Sequence, residues 1–342
     1  MTKKNNKRAK IILVTGGFGF IGSMLVELLV KDPKNKVHVI DDMSNSPINL
    51  GDYLETIERP KNLSYEIITI EKFFQKEKIG HWDEIYHLAS PVGPAGVLKH
   101  AGRMIQNVVR DGYLIIDYCL KNKTRFLDVS TSEIYGGGRN GYCSESMSKI
   151  IPAEMNVRLE YAIAKLAVEA AVINNCHSRG LDAVIVRPFN ITGKRQSPKG
   201  GFVVPRFIQQ AYHGKPITVF GDGSAVRAFT HIEDMAKGLI LAMKKGKCGV
   251  AYNLGNRANK ITILNLAKKI KKTMKSQSKI VFVDPKTIYG NYYEDANDKY
   301  PDAKKAIKDL GWKPVLGIEK AVKDAEDEYL RQLKKGVLKD KI

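Results

Sequence analysis

The chain has 342 residues, 43% of them hydrophobic and 27% charged, ordinary proportions for one large α/β domain or one domain plus a lobe. No apolar run approaches the roughly 20 residues that cross a bilayer, and the four cysteines, Cys119, Cys143, Cys176 and Cys248, have neither C-x-x-C nor metal-ligand spacing, so a membrane protein, a disulfide scaffold and a metal module are set aside and a cytoplasmic setting is expected. The net charge of +20 is spread over separate lysine groups (Lys3–Lys4, Lys121–Lys123, Lys244–Lys247, Lys268–Lys275, Lys334–Lys341) that read as solvated faces rather than a nucleic-acid interface, although such a field would attract an anionic substrate.

The basic start, Lys3 to Lys10, leads into Ile11–Val14; that apolar run is too short for a signal peptide and breaks into glycine. It predicts a strand. Thr15-Gly16-Gly17-Phe18-Gly19-Phe20-Ile21-Gly22 follows, then an apolar helical run, Met24–Val30. Glycines at 16, 19 and 22 in a strand–turn–helix context match a dinucleotide-binding fingerprint. Gly16 permits the tight turn, Gly19 the approach of a pyrophosphate, and Gly22 close helix–strand packing. Phe18, Phe20 and Ile21 complete that expected cofactor loop. A second strand, Val37–Ile40, ends in Asp41 at about the 20-residue distance where a carboxylate binds the adenosine ribose hydroxyls, which favours NAD over NADP.

Further strands are predicted at Ile85–Ala89, Arg125–Val129 and Ala183–Val186, and helices at Gly102–Leu120 and Tyr161–Ser178. This alternation predicts a Rossmann-type, doubly wound parallel sheet with helices on both faces. Beyond Arg187-Pro188 the pattern changes. Helices are expected at Val204–Tyr212, 231–245 and Ile318–Leu333, with a polar, turn-rich stretch at 284–314. The expected organisation is an NAD-binding domain from 8–189 and 228–256, and a smaller C-terminal α/β substrate lobe from 190–227 and 257–335.

Tyr161 and Lys165 form a Y-x-x-x-K on one helix face, so phenol and ammonium can reach one site, and a cation beside a tyrosine lowers its pKa toward that of a usable base. The strand Arg125–Val129 runs into Ser130-Thr131-Ser132-Glu133, polar residues at the carboxyl end of a parallel strand, where such sheets bind ligands.

With these motifs in order, the chain resembles the extended short-chain dehydrogenase/reductases that modify nucleotide-sugars. The likeness runs from about Ile11 to Tyr329. Supporting it are His87-Leu88-Ala89-Ser90, Asn107, Arg187-Pro188-Phe189-Asn190, Val219-Phe220-Gly221-Asp222-Gly223 with Arg227, Phe229, His231 and Asp234, then Tyr252-Asn253-Leu254-Gly255-Asn256, Pro301-Asp302 and Leu310-Gly311-Trp312-x-Pro314. The resemblance implies a bound, recycled NAD touching Leu88, Ala89, Ser90, Asn107, Ser130, Tyr161, Lys165 and Pro188. It implies oxidation of the sugar at C4, with Tyr161 as base and Thr131 holding the hydroxyl. It also implies substrate contacts from Ser132, Asn190, Val204, Arg227 and Lys299, and a homodimer through the two long helices, with Val108, Ile115, Ile116, Val168 and Val172 as candidate contacts that could equally pack on the chain's own sheet.

Within that family, Thr131-Ser132-Glu133-x-Tyr135-Gly136 is similar to the segment of UDP-glucuronate decarboxylases and of GDP-mannose 4,6-dehydratases, which implies a catalytic Glu133 that removes the C5 proton or handles a proton after decarboxylation, and Arg158, three before Tyr161, matches an arginine the decarboxylases place near the substrate carboxylate. The segment Ile288-Tyr289-Gly290-x-Tyr292-Tyr293-Glu294-Asp295 resembles a loop of the bacterial enzyme. Lys299 departs from the arginine expected there, and Thr69-Ile70-Glu71 lacks the usual aspartate contact to adenine. UDP-glucuronate decarboxylation is the leading expectation. A UDP-sugar 4-epimerase and a 4,6-dehydratase are the alternatives, and a non-enzymatic NAD-binding module is disfavoured by the intact Tyr161/Lys165 pair.

Overall fold

The computed structural model describes residues 9–136, 141–151, 153, 155–290 and 298–338. Seven parallel strands form the main sheet, in the spatial order Ala251–Leu254, Ala183–Pro188, Arg125–Val129, Glu84–His87, Lys10–Thr15, Asn35–Asp41, Leu63–Ile67. The chain leaves the first strand in one direction, then crosses back to Glu84–His87 and continues the other way. The crevice at that reversal, above the carboxyl ends of Lys10–Thr15 and Glu84–His87, is where sheets of this topology take ligands.

Successive strand residues point to opposite faces. Ile12, Val14, Tyr86, Leu127, Val184 and Val186 pack with the helices Phe20–Val30 and Ile232–Lys245. Leu13, Ile85, Phe126 and Ile185 pack with the helices Met104–Asn122 and Val157–Arg179. Because both faces are covered, Glu84–His87 and Ala183–Val186 are buried at every position, which is why Ala183–Val186 reads as an apolar run rather than an alternation. The doubly wound parallel sheet is as expected.

The candidate dimer contacts are corrected. Val108, Ile115, Ile116, Val168 and Val172 are at most 4% exposed and belong to the core beneath the sheet. The two long helices touch each other so closely that a Cβ on Gly112 would come within 2.9 Å of Val168 Cγ2. The outer face of Met104–Asn122 instead exposes Ile105 and Tyr113.

A third apolar cluster lies apart from the main sheet. Val204, Phe207, Ile217, Val219, Leu266, Ile270 and Val322 join the helices Val203–Tyr212, Ile263–Thr273 and Ile318–Lys334 to the paired strands Ile217–Phe220 and Ile280–Val283. A four-stranded sheet of Lys260–Thr262, Val226–Ala228, Lys299–Pro301 and Gly141–Cys143 has no counterpart in the sequence-based expectations. The stretch expected as turns at 284–314 contributes one of its strands and the helix Lys304–Leu310.

Candidate active site

The glycine loop is built for close approach. Gly16 has φ +69°, and a Cβ there would sit 2.6 Å from Ala89 N. On Gly22 it would lie 2.1 Å from Gly16 O. Gly19 caps the helix Phe20–Val30 in an extended conformation with no side chain on the first amides, leaving them to an anion. Asp41 ties down the same loop: its Oδ2 accepts from Phe18 N at 2.9 Å and its Oδ1 from Met43 N at 2.8 Å. Burial pushes the Asp41 carboxyl above its usual range. Ser46, which no sequence signal marked, donates to Phe18 O at 2.6 Å. A glycine cradle, a free helix N-terminus and a carboxylate at the second strand's end are the parts a dinucleotide requires.

Phe18 itself is fully buried, its ring edge-on to Tyr53 and Tyr65. Its ring supports the loop from beneath, and Phe18 contributes to the cradle through its backbone, held by Asp41 and Ser46. Gly16, Gly19, Phe20, Ile21, Leu88, Ala89, Ser90 and Pro188 remain partly exposed around the crevice, as does Asn107 on its helix.

Asn156 starts the Val157–Arg179 helix four residues earlier than predicted, its Oδ1 accepting from Arg158 N at 3.0 Å and Leu159 N at 3.1 Å. That extra turn brings Arg158, Tyr161 and Lys165 onto one rigid element. Glu160 accepts from Gly102 N at 2.7 Å and Met104 N at 2.9 Å, locking this helix to its neighbour. Lys165, 1% exposed, donates from Nζ to Val129 O at 2.9 Å. Burial pulls its ammonium pKa down, while the Asp128, Glu169 and Asp111 carboxylates oppose that.

Tyr161 departs from expectation. Burial raises its phenol well above the usual value, and Glu133 and Asp128 add to this; hydrogen bonds with Thr131 and Ser90 work in the opposite direction. Burial outweighs the help expected from a neighbouring cation. The structure does bring Tyr161, Thr131 and Ser90 together as the reading of the strand end requires.

The 3-10 turn Ser132–Tyr135, capped by Thr131 Oγ1 accepting from Glu133 N at 3.2 Å, presents Glu133 to two cations. Lys299 Nζ donates to Glu133 Oε1 at 2.6 Å and Arg158 Nη2 to Oε2 at 2.8 Å. Burial pushes the Glu133 carboxyl up, but the Arg158 and Lys299 charges prevail and hold it far below the usual carboxylate range. Lys299 is 3% exposed and stands in register with Arg227 on the next strand. Asn190 adopts φ +43° and donates from Nδ2 to Ala228 O at 3.3 Å, at the edge of the same region.

Val204 is not part of this constellation. It is 1% exposed, inside the third apolar cluster, because its helix turns that side chain inward. Ser130 and Ser132 lie just below the surface of the crevice floor. Tyr292, Tyr293, Glu294 and Asp295 of the quoted tail loop lie outside the described residues.

Two buried features escaped the sequence reading. Asp128 is fully buried on the strand Arg125–Val129, and neither carboxylate oxygen has a hydrogen-bond partner among the described residues. Arg187 grips Glu169 with Nε at 3.0 Å and Nη2 at 2.6 Å, and its Nη1 meets Tyr135 Oη at 2.8 Å. Tyr135 in turn donates to Asn253 Oδ1 at 2.7 Å, so the strand end that carries Glu133 is bolted to the far side of the sheet.

A family model described as the NAD dependent epimerase/dehydratase family matches residues 12–255. A UDP-N-acetyl-alpha-D-glucosaminuronate decarboxylase of Bacillus cytotoxicus is 32% identical over 92% of this chain and 96% of its own. UDP-glucuronic acid decarboxylase 6 of Arabidopsis thaliana is 32% identical over 94% of this chain and 89% of its own. Among solved structures, a UDP-glucuronic acid 4-epimerase of Bacillus cereus, in complex with UDP-glucuronic acid and NAD, superposes with a TM-score of 0.80 at 26% identity, covering 94% of this chain and 99% of its own. A UDP-glucose 4-epimerase of Thermotoga maritima gives 0.82 at 25%, with the same coverage.

Proposed function

The chain belongs to the NAD-dependent epimerase/dehydratase family, and from that premise we propose that it is a decarboxylase of a UDP-linked hexuronate, with UDP-glucuronate as the lead substrate. The observation that carries this reading is the convergence of Arg158 and Lys299 on one point beside Tyr161. A neutral hexose offers no anion to the pair formed by Arg158 and the buried Lys299; a hexuronate carboxylate does, through charge-assisted contacts.

The glycine loop and Asp41 would hold NAD, which when bound would supply the hydride acceptor for C4. Tyr161 takes the C4 hydroxyl proton while Thr131 and Ser90 hold the oxygen, and Lys165 fixes the helix face from below. With C4 at the ketone level, the C6 carboxylate is β to a carbonyl and can leave as carbon dioxide, its bonding electrons passing into the enolate. Arg158 and Lys299 orient that carboxylate. Lys299 supplies charge without the planar fork of an arginine, so the bidentate part of the grip falls to Arg158. Arg227, Asn190 and Ser132 line the approach for the diphosphate and sugar. Residues 8–189 and 228–256 hold the dinucleotide, and 190–227 with 257–335 the sugar nucleotide.

Arg158 and Lys299 hold Glu133 below the usual carboxylate range and so make it a weaker base for a C5 proton than a free carboxylate, which favours decarboxylation over 4,6-dehydration. A 4-epimerase is the second reading, supported by the Bacillus cereus likeness. Incubation with NAD and UDP-glucuronate, followed by mass analysis, separates the two: a UDP-pentose or its 4-keto form is expected, whereas a product of unchanged mass would make the chain an epimerase. A cytoplasmic homodimer, joined through the outer faces of the two long helices around Ile105 and Tyr113, completes the proposal.

A further inference from the structure

The Glu133 clamp has a geometry that a mere structural ion pair does not need. Its three members come from separate parts of the chain: the 3-10 turn Ser132–Tyr135, the first turn of Val157–Arg179, and the short strand Lys299–Pro301. Each oxygen of Glu133 takes one cation, Lys299 at 2.6 Å and Arg158 at 2.8 Å. Two cations spaced to hold the two oxygens of one carboxylate are also spaced to hold another. The Lys299 side chain is only 4% exposed, fixed in a strand against Arg227, so it cannot swing away to a second position. The Glu133 side chain is 25% exposed and that of Arg158 21%, but Arg158 is carried on a long helix and Glu133 on a short 3-10 turn, so Glu133 is the member whose backbone support can shift aside.

We infer that Glu133 is an internal stand-in for the substrate carboxylate: a hexuronate displaces it from Arg158 and Lys299, and the displaced Glu133 takes up a proton from solvent. The inference rests on the hexuronate reading above and says how that site admits its ligand. It follows from charge. Once the cations face the substrate, Glu133 lies beside a second carboxylate with its own counter-charges engaged, and like charges at that distance disfavour double ionisation. Burial already pushes Glu133 up, and only Arg158 and Lys299 hold it down. Among the described residues, the other charged or titratable groups coupled to the clamp are Arg227, whose charge depresses Lys299, and Tyr161, whose phenol is raised by Glu133. Neither replaces the lost counter-charge on Glu133. A neutral hexose at C6 leaves the clamp closed and exchanges no proton.

The test is calorimetric titration of NAD-loaded Tyr161→Phe protein, whose turnover is slowed by about 10²–10⁴, in buffers of different ionisation heat near neutral pH. UDP-glucuronate is expected to bind with uptake of about one proton, and UDP-glucose with none. In the Glu133→Gln, Tyr161→Phe double variant, the uptake disappears and UDP-glucuronate binds about tenfold more tightly, because no carboxylate competes for the cations. Equal proton exchange for the two ligands, or an uptake that survives Glu133→Gln, would overturn the inference alone. If UDP-glucose binds and UDP-glucuronate does not, the hexuronate reading falls and the inference with it. The comparison of the two ligands stands even if the double variant does not fold.

Discussion

Tyr161 gives up one oxygen and no packing when replaced by phenylalanine, since its ring sits in the apolar cluster beneath the sheet and only its hydroxyl reaches Thr131 and Ser90. Tyr161→Phe is therefore expected to keep its fold and its NAD while turnover drops by about 10²–10⁴, the range for a lost general base; retained NAD is read by absorbance after gel filtration, and wild-type turnover would contradict the role. Asp128 behaves differently. Burial pushes its carboxyl up to about 6, with the Lys165 charge opposing and Glu169 adding to the rise. The folded state thus binds this proton more tightly than the unfolded chain, so the residue costs stability as pH climbs from about 4 to about 6, reaching a penalty of about 3 kcal/mol that persists above. Asp128→Asn should be more stable than the parent at pH 8 and lose that advantage by pH 4. Urea unfolding across this range would refute the claim if the gap were constant. Of the site residues, Tyr161, Lys165 and Thr131 were legible because helical spacing and a strand end place them without tertiary information. The partnership of Glu133 with Lys299 spans 166 positions and no local pattern encodes it.

Among the elements, the glycine loop and the long helices were read correctly because each carries its own period or turn chemistry. The short strands Lys299–Pro301 and Gly141–Cys143 were not, since three residues establish no alternation and their pairing with distant partners decides their shape. The helix Val157–Arg179 was recognised but started late in the sequence reading. Val157 and Leu159 carry its apolar face into the first turn, and Asn156 is the capping signal that marks its start. The loop yields a sharp expectation. In Gly22→Ala the new methyl would lie 2.1 Å from the Gly16 carbonyl, so helix and turn must part where the pyrophosphate is held. NAD should no longer co-purify or bind in titration, while far-ultraviolet dichroism stays near that of the parent; undiminished NAD binding would show that the turn tolerates the shift.

At the scale of the whole molecule, the doubly wound sheet was legible from the order of strands and helices, but the outer surface was not. The candidate dimer contacts are interior, and periodicity alone cannot tell a helix stripe that faces its own sheet from one that faces a partner. The exposed pair Ile105 and Tyr113 lies two turns apart on the outer face of Met104–Asn122, so Ile105→Lys with Tyr113→Asp should convert the proposed dimer to a monomer in sedimentation analysis. An unchanged dimer would move the interface elsewhere. The fold is shared with epimerases and dehydratases, and fold alone does not choose among their reactions; the choice here rests on Arg158, Glu133 and Lys299. The most direct test follows the fate of the carbon they address. UDP-glucuronate labelled with carbon-13 at C6 is supplied to the NAD-loaded protein and followed by nuclear magnetic resonance. Transfer of the label to carbon dioxide and bicarbonate, with loss of the sugar carboxylate signal, is the result expected. Label retained in a sugar carboxylate while the ring signals change would contradict decarboxylation and assign the site to epimerisation.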